Sequence, residues 1–111
     1  MSKTMSKTLH LPLKKEWYEM IESGVKTEEY RENKPYWVRR LTTMRCRYIL
    51  FSYRGGYSHI EFKQFDRVKF SYGYTKRTMT FECKGITFGE GKKEWGAPNE
   101  EVFIIKLGKR I

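Results

Sequence analysis

Cysteine is scarce in this chain: Cys46 and Cys83 are the only two among 111 residues. They form no C-x-x-C pair, and His10 and His59 are too few to complete most ligand sets. A zinc centre and a disulfide framework are therefore not expected. Each cysteine sits within a strand-like run, which predicts reduced, partly buried thiols. Proline is almost as rare, at three residues. No apolar run approaches the roughly 20 residues of a membrane helix. The N-terminus, MSKTMSKTLHLPLKK, lacks the charged-then-apolar order of a secretory signal. These absences predict a cytosolic chain with no membrane partner, no metal and no cofactor. The tandem MSKT is polar and short, so residues 1–7 read as a flexible tail and residues 8–111 as one domain.

What is present is aromatic and basic. Aromatic residues make up 16% of the chain within a hydrophobic share of 39%, enough for a core and too much for disorder. The net charge of +10 is uneven. Residues 1–33 carry six basic and six acidic side chains, and residues 81–111 carry six against five. Residues 34–80 carry eleven against Glu61 and Asp66, so the excess belongs to the middle of the chain. That same middle is rich in Tyr, Phe and Trp. Basic groups attract phosphates and aromatic rings stack bases, so the composition points to nucleic acid or a nucleotide-sized anion.

The hydropathy pattern orders the elements. Leu9, Leu11 and Leu13 alternate as in a strand, and Leu13, Trp17, Met20 and Ile21 then form a helical stripe that Gly24 stops. Lys26–Glu32 is extended by elimination, and Pro35 opens a short helix carrying Trp37, Val38 and Leu41. Strands are expected over Arg45–Tyr53, Asp66–Tyr72, Arg77–Phe88 and Glu101–Leu107, with a turn at Gly55-Gly56 and a bulge at Gly85. The fold class is α+β: a small barrel of five or six mostly antiparallel strands with two short helices near the N-terminus. Gly85 and Gly91 are one residue too far apart for a phosphate loop, and Lys93 stands where Ser or Thr belongs. That stretch reads instead as a long loop, a lid carrying Trp95.

The polar cluster GVKTEEYR, residues 24–31, is the candidate site. Glu29 and Arg31 are two apart and share a strand face. Lys26 converges with Glu29 only if it lies in the turn after Gly24, before regular alternation begins. Glu82 is a further acid on the polar side of its strand. A lysine between carboxylates can act as an acid–base pair, hold a nucleobase edge, or simply form a structural ion-pair network.

Gly24, Lys26, Glu29 and Arg31 match G-x-K-x-x-E-x-R, and the chain thereby resembles the ASCH (activating signal cointegrator homology) domains of the PUA-like superfamily. The flanking stretches LHLPLKKEWYEMIESGVKTEEYRENKPYWVRRL and CKGITFGEGKKEWGAPNEEVFIIKLGK are similar to the small single-domain members of bacteria and their phages. The resemblance implies a PUA-like barrel whose cleft, lined by the motif residues, binds RNA or a modified nucleoside. One branch removes the acetyl group from acetylcytidine with a Lys, a Thr and a Glu. By position these correspond to Lys26 and Glu82, with Glu29 in place of the threonine, where a carboxylate cannot serve as a hydroxyl nucleophile.

Three expectations follow. The first is an RNA- or nucleotide-binding domain with Gly24, Lys26, Glu29, Arg31 and Glu82 in the cleft. Tyr30, Trp37 and Trp95 would stack bases, and Arg39, Arg40, Arg45, Arg47 and Arg54 would meet phosphates. The second is a hydrolase of RNA or a modified nucleoside that uses Lys26 and Glu82 with Glu29. The third is a non-catalytic protein-interaction module.

Overall fold

A computed structural model of the chain describes residues 7–49 and 60–111. The MSKT repeat, the Gly55-Gly56 turn and Arg54 lie outside the described residues. The elements run β1 (Thr8–Leu13), α1 (Lys15–Glu22), β2 (Glu28–Arg31), α2 (Pro35–Leu41), β3 (Arg67–Tyr72), β4 (Thr78–Glu90), a 3₁₀ turn (Lys93–Trp95) and β5 (Glu101–Arg110). The fold is therefore α+β; the described residues form two helices and five strands in the order β1-β3-β4-β5-β2. The sheet is mixed: β1 runs parallel to β3, and β3 runs antiparallel to β4. A parallel pair needs a long crossover, and residues 14–66 supply it.

Contacts divide the chain into two compact units. The first comprises described residues 7–29, 64–85 and 105–111. Its strands alternate cleanly. Leu9, Leu11 and Leu13 of β1, Val68 and Phe70 of β3, and Met79 and Phe81 of β4 are all buried. The register keeps them on one face, pairing Leu9 with Val68 and Leu11 with Phe70. Tyr18 and Ile21 of α1 join this core. Tyr18 is a core residue that the helical stripe omitted; it is fully buried, whereas Trp17 is half-buried.

The second unit comprises described residues 30–49, 60–63 and 86–104. Phe103 is its centre, fully buried, with the Phe88 and Phe62 rings edge-on at 5.1 and 6.3 Å. Val38 and Leu41 of α2 are buried with it, and Pro35 occupies the first helical turn as expected. Across Gly85, whose φ is +137°, the inward positions change parity from buried Met79 and Phe81 to buried Ile86 and half-buried Phe88. That phase change is what a bulge at this glycine was expected to produce.

Two expectations need correction. Arg45–Ile49, read as the start of a strand, is irregular here, and Leu50–Tyr53 lie outside the described residues. The aromatic and branched side chains that suggested a strand do not find a sheet partner within 45–49. Instead the Asn33 amide takes the place of one: its Nδ2 donates to Ile49 O and its Oδ1 accepts from Ile49 N–H, both at 2.8 Å. Cys46, expected to be partly buried, is exposed for the same reason. Cys83 is half-buried in β4, and that burial pushes its thiol pKa up.

Candidate functional site

The first unit positions Lys26 and Glu29. At the end of α1 the Gly24 N–H donates to Ile21 O at 3.1 Å, and Gly24 takes φ +88°, a conformation that favours glycine. Lys26 N–H then donates back to Met20 O at 3.0 Å, and Thr27 O accepts from Leu107 N–H of β5 at 3.0 Å. The chain is thus doubled against its own helix before β2 begins at Glu28. This lets two residues three apart converge. Lys26 Nζ lies 2.9 Å from Glu29 Oε1 and 4.8 Å from the centroid of the Trp17 ring. The residues are 2% and 5% exposed, so the pair is a buried one. Charges removed from water at such cost persist only when paired and hydrogen-bonded.

Glu82 is not brought to this pair. It lies on the exposed face of β4, and its Oε1 accepts the Lys109 N–H at 3.1 Å. A Cβ on Gly108 would stand 3.0 Å from the same oxygen, so the carboxylate lies close over β5. Strand alternation explains the separation, since Phe81 and Cys83 turn inward and Glu82 cannot.

The second unit builds a pocket from the other half of the motif. The Tyr30 hydroxyl accepts the Lys92 N–H at 3.0 Å, and its ring packs with Ala97, Val102 and Ile104, with Trp95 against them. Arg31 Nη1 donates to Tyr30 O at 2.7 Å, and its guanidinium carbon lies 5.1 Å from the Trp37 ring centroid. After the 3₁₀ turn, Gly96 takes φ +97° and returns the chain toward Ala97 and Pro98. The result is a pocket of about 230 Å³ lined by Tyr30, Arg31, Glu32, Gly96, Pro98 and Val102. That is below the roughly 300–1,000 Å³ of sites for drug-sized ligands, a scale suited to one base.

Of the residues lining this pocket, the sequence singled out Tyr30 and Arg31, with Arg31 in one cleft with Lys26, Glu29 and Glu82, and did not single out Glu32, Gly96, Pro98 or Val102. The signal was available only in part: Glu32 continues the charged motif, and Gly96-Ala97-Pro98 breaks the chain after Trp95. Trp37 and Trp95 do not line the pocket. Trp37 lies under Arg31 and edge-on to Tyr36 at 4.8 Å, and Lys92 Nζ stands 4.2 Å from the Trp95 ring centroid. Gly91 sets the wall's closeness, because a Cβ there would fall 2.6 Å from Tyr30 Cε1 and 2.8 Å from Ala97 Cβ. Gly91→Ala is expected to cost about 1–3 kcal/mol, as overpacking does. It should also quench the near-ultraviolet circular dichroism of the displaced tyrosine; an unchanged spectrum and midpoint would refute the packing.

The basic residues of the same unit are partly on one short segment. Arg45 and Arg47 are exposed, with Tyr48 46% exposed between them and Ile49. The segment is anchored at its start by Thr43 N–H to Glu61 O at 3.0 Å and at its end by the Asn33 clamp. Arg39 is exposed and Arg40 half-buried on α2, with Tyr36 57% exposed on the same helix. Among the described residues, no three His, Cys, Asp or Glu side chains gather as a metal site, and no helix is long and apolar enough to cross a membrane. Set against protein-family models, curated proteins and solved structures, the chain matches none.

Proposed function

We propose that this protein is an RNA- or nucleotide-binding domain of the ASCH type, PUA-like in fold, that takes a nucleobase in the pocket at Tyr30 and Arg31. The observation that carries the reading is the pairing of Arg31 and Glu32 in one pocket. A guanidinium only donates and a carboxylate only accepts. Glu32 is ion-paired with Lys34, its Oε1 3.2 Å from Lys34 Nζ, and a base edge, which offers both acceptors and donors, can meet Arg31 and this carboxylate together. Phosphates would meet the exposed guanidinium groups of Arg39, Arg45 and Arg47 in the same unit. The basic excess of residues 34–80 is the electrostatic footprint of such binding.

The hydrolase reading is carried less well. Its lysine and glutamate are engaged with each other at 2.9 Å and are nearly inaccessible, and Glu82 stands apart from them. A general base has to come within hydrogen-bond reach of its substrate. The buried pair is better suited to fixing the start of β2, and with it the backbone that presents Tyr30 and Arg31.

The test is binding of a fluorescein-labelled single-stranded RNA ten nucleotides long, followed by anisotropy across a salt series. Affinity should fall steeply with salt. Replacing Arg45 and Arg47 with alanine should flatten the log–log slope by about 1.4, at roughly 0.7 per phosphate contact on a single strand. Binding that ignores salt, or no binding at all, would sink the proposal.

A further inference from the structure

The first unit carries a second surface that the motif pocket does not include. Because one face of β1, β3 and β4 is buried, their alternate residues form a solvent-facing grid. The register aligns Thr8, Arg67 and Glu82 in one row, His10, Lys69 and Thr80 in the next, and Pro12, Ser71 and Thr78 in the third. A groove of about 170 Å³ lies over the second and third rows, lined by His10, Leu11, Pro12, Lys69, Ser71, Tyr74 and Thr78. None of the residues lining it is acidic. Glu82, the one acid of the grid, belongs to the far row, beside Arg67 and under the Lys109 N–H.

Tyr74 is the unusual member. It is 97% exposed, although large aromatic side chains are ordinarily highly buried. Its backbone is held firmly nonetheless. Ser71 Oγ donates to Gly73 O at 2.7 Å, Thr75 Oγ1 donates to Tyr72 O at 2.6 Å, and Tyr72 N–H donates to Arg77 O at 2.9 Å. Gly73 N–H also donates to Leu13 O at 2.8 Å, which ties the turn to the end of β1. A bare aromatic ring is thus presented on a fixed turn, lining a groove that bears an ammonium, an imidazole and two hydroxyls.

We propose that this face binds a single strand of nucleic acid, with Lys69 and Thr78 on a phosphate and Tyr74 stacked on a neighbouring base. A positively charged groove with a stacking platform is how sequence-tolerant single-strand binding is built. The groove is far smaller than the roughly 800 Å² per partner of a standard protein interface, and a base with its phosphate matches that scale. A duplex is disfavoured because its bases are stacked already and offer the ring no face. The inference rests on the nucleic-acid reading above, and it extends the footprint beyond the Arg31 pocket to a surface of its own.

The full chain and its Tyr74→Ala, Tyr74→Phe and Lys69→Ala variants are titrated with the same ten-nucleotide RNA and with its duplex. Both positions are on the solvent face, and unchanged far-ultraviolet circular dichroism verifies the fold. Tyr74→Ala should weaken single-strand binding by about tenfold, within the range of one lost base stack. Tyr74→Phe should retain it, and Lys69→Ala should lower the salt slope by about 0.7. If all three variants bind like the parent while the Arg45/Arg47 variant is impaired, this face is outside the footprint; the inference falls and the proposed function stands. Equal affinity for the duplex overturns it too. If the parent binds no RNA, both fall. Capture of a protein by this face, with loss on Tyr74→Ala but no RNA effect, would also overturn it.

Discussion

Replacing Glu29 with alanine is expected to lower the unfolding free energy by about 3–5 kcal/mol, the usual consequence of removing one partner from a buried ion pair. Small domains of this kind hold only about 5–15 kcal/mol in total, so the variant should stand close to its unfolding threshold. The reason lies in the geometry. The Lys26 ammonium is 2% exposed, 2.9 Å from the carboxylate and 4.8 Å from the centroid of the Trp17 ring. Without Glu29 that charge loses its nearest compensation, and water cannot readily replace it. The measurement is equilibrium denaturation in urea with the slope monitored. A double replacement, Lys26→Met with Glu29→Leu, should recover most of the loss, because apolar residues of similar size remove the charge from both sides. A single variant costing under about 1 kcal/mol would show the pair to be far more solvated than this.

The second large effect is at Tyr18. Its ring is fully buried and meets Tyr72 edge-on, with centroids 5.2 Å apart. The Arg77 guanidinium carbon lies 5.1 Å from each ring centroid, and Arg77 Nη2 donates to both oxygens of Glu22 at 2.9 and 3.1 Å. The Tyr18 hydroxyl, by contrast, has no hydrogen-bond partner among the described residues. Tyr18→Ala should therefore cost about 3–5 kcal/mol, since it removes the ring and leaves a cavity. Tyr18→Phe keeps the ring and removes an unsatisfied polar group, so stability should be unchanged or rise by up to about 1 kcal/mol. Thermal and urea midpoints of the two variants give the comparison. A Phe variant as damaged as the Ala one would mean that the hydroxyl, not the ring, carries the stabilisation.

These two sites show how far local pattern reaches. Gly24 as a helix stop, Pro35 as a helix start and the alternation of β1 and β3 are all local properties, and each is found where the pattern places it. So is the convergence of Lys26 with Glu29, because the position of a glycine and a three-residue spacing decide it. Tyr18 was overlooked for a related reason. The helical stripe beginning at Leu13 is continued equally well by Trp17 or Tyr18, and only packing against Tyr72 selects which ring goes inside.

The sequence by itself determined the α+β class, the two early helices and most of the strands. Each follows from contacts within a few residues, where backbone geometry leaves few choices. Tertiary structure alone decided that β1 lies parallel to β3, that Glu82 stays on the solvent face with Lys109, and that Arg45–Ile49 is held by Asn33. It also decided that Arg31 and Glu32 share a pocket with Gly96 and Pro98. Those pairings join residues far apart in the chain. Which of several chemically equivalent partners is chosen depends on the packing that brings them together, and no local pattern records it.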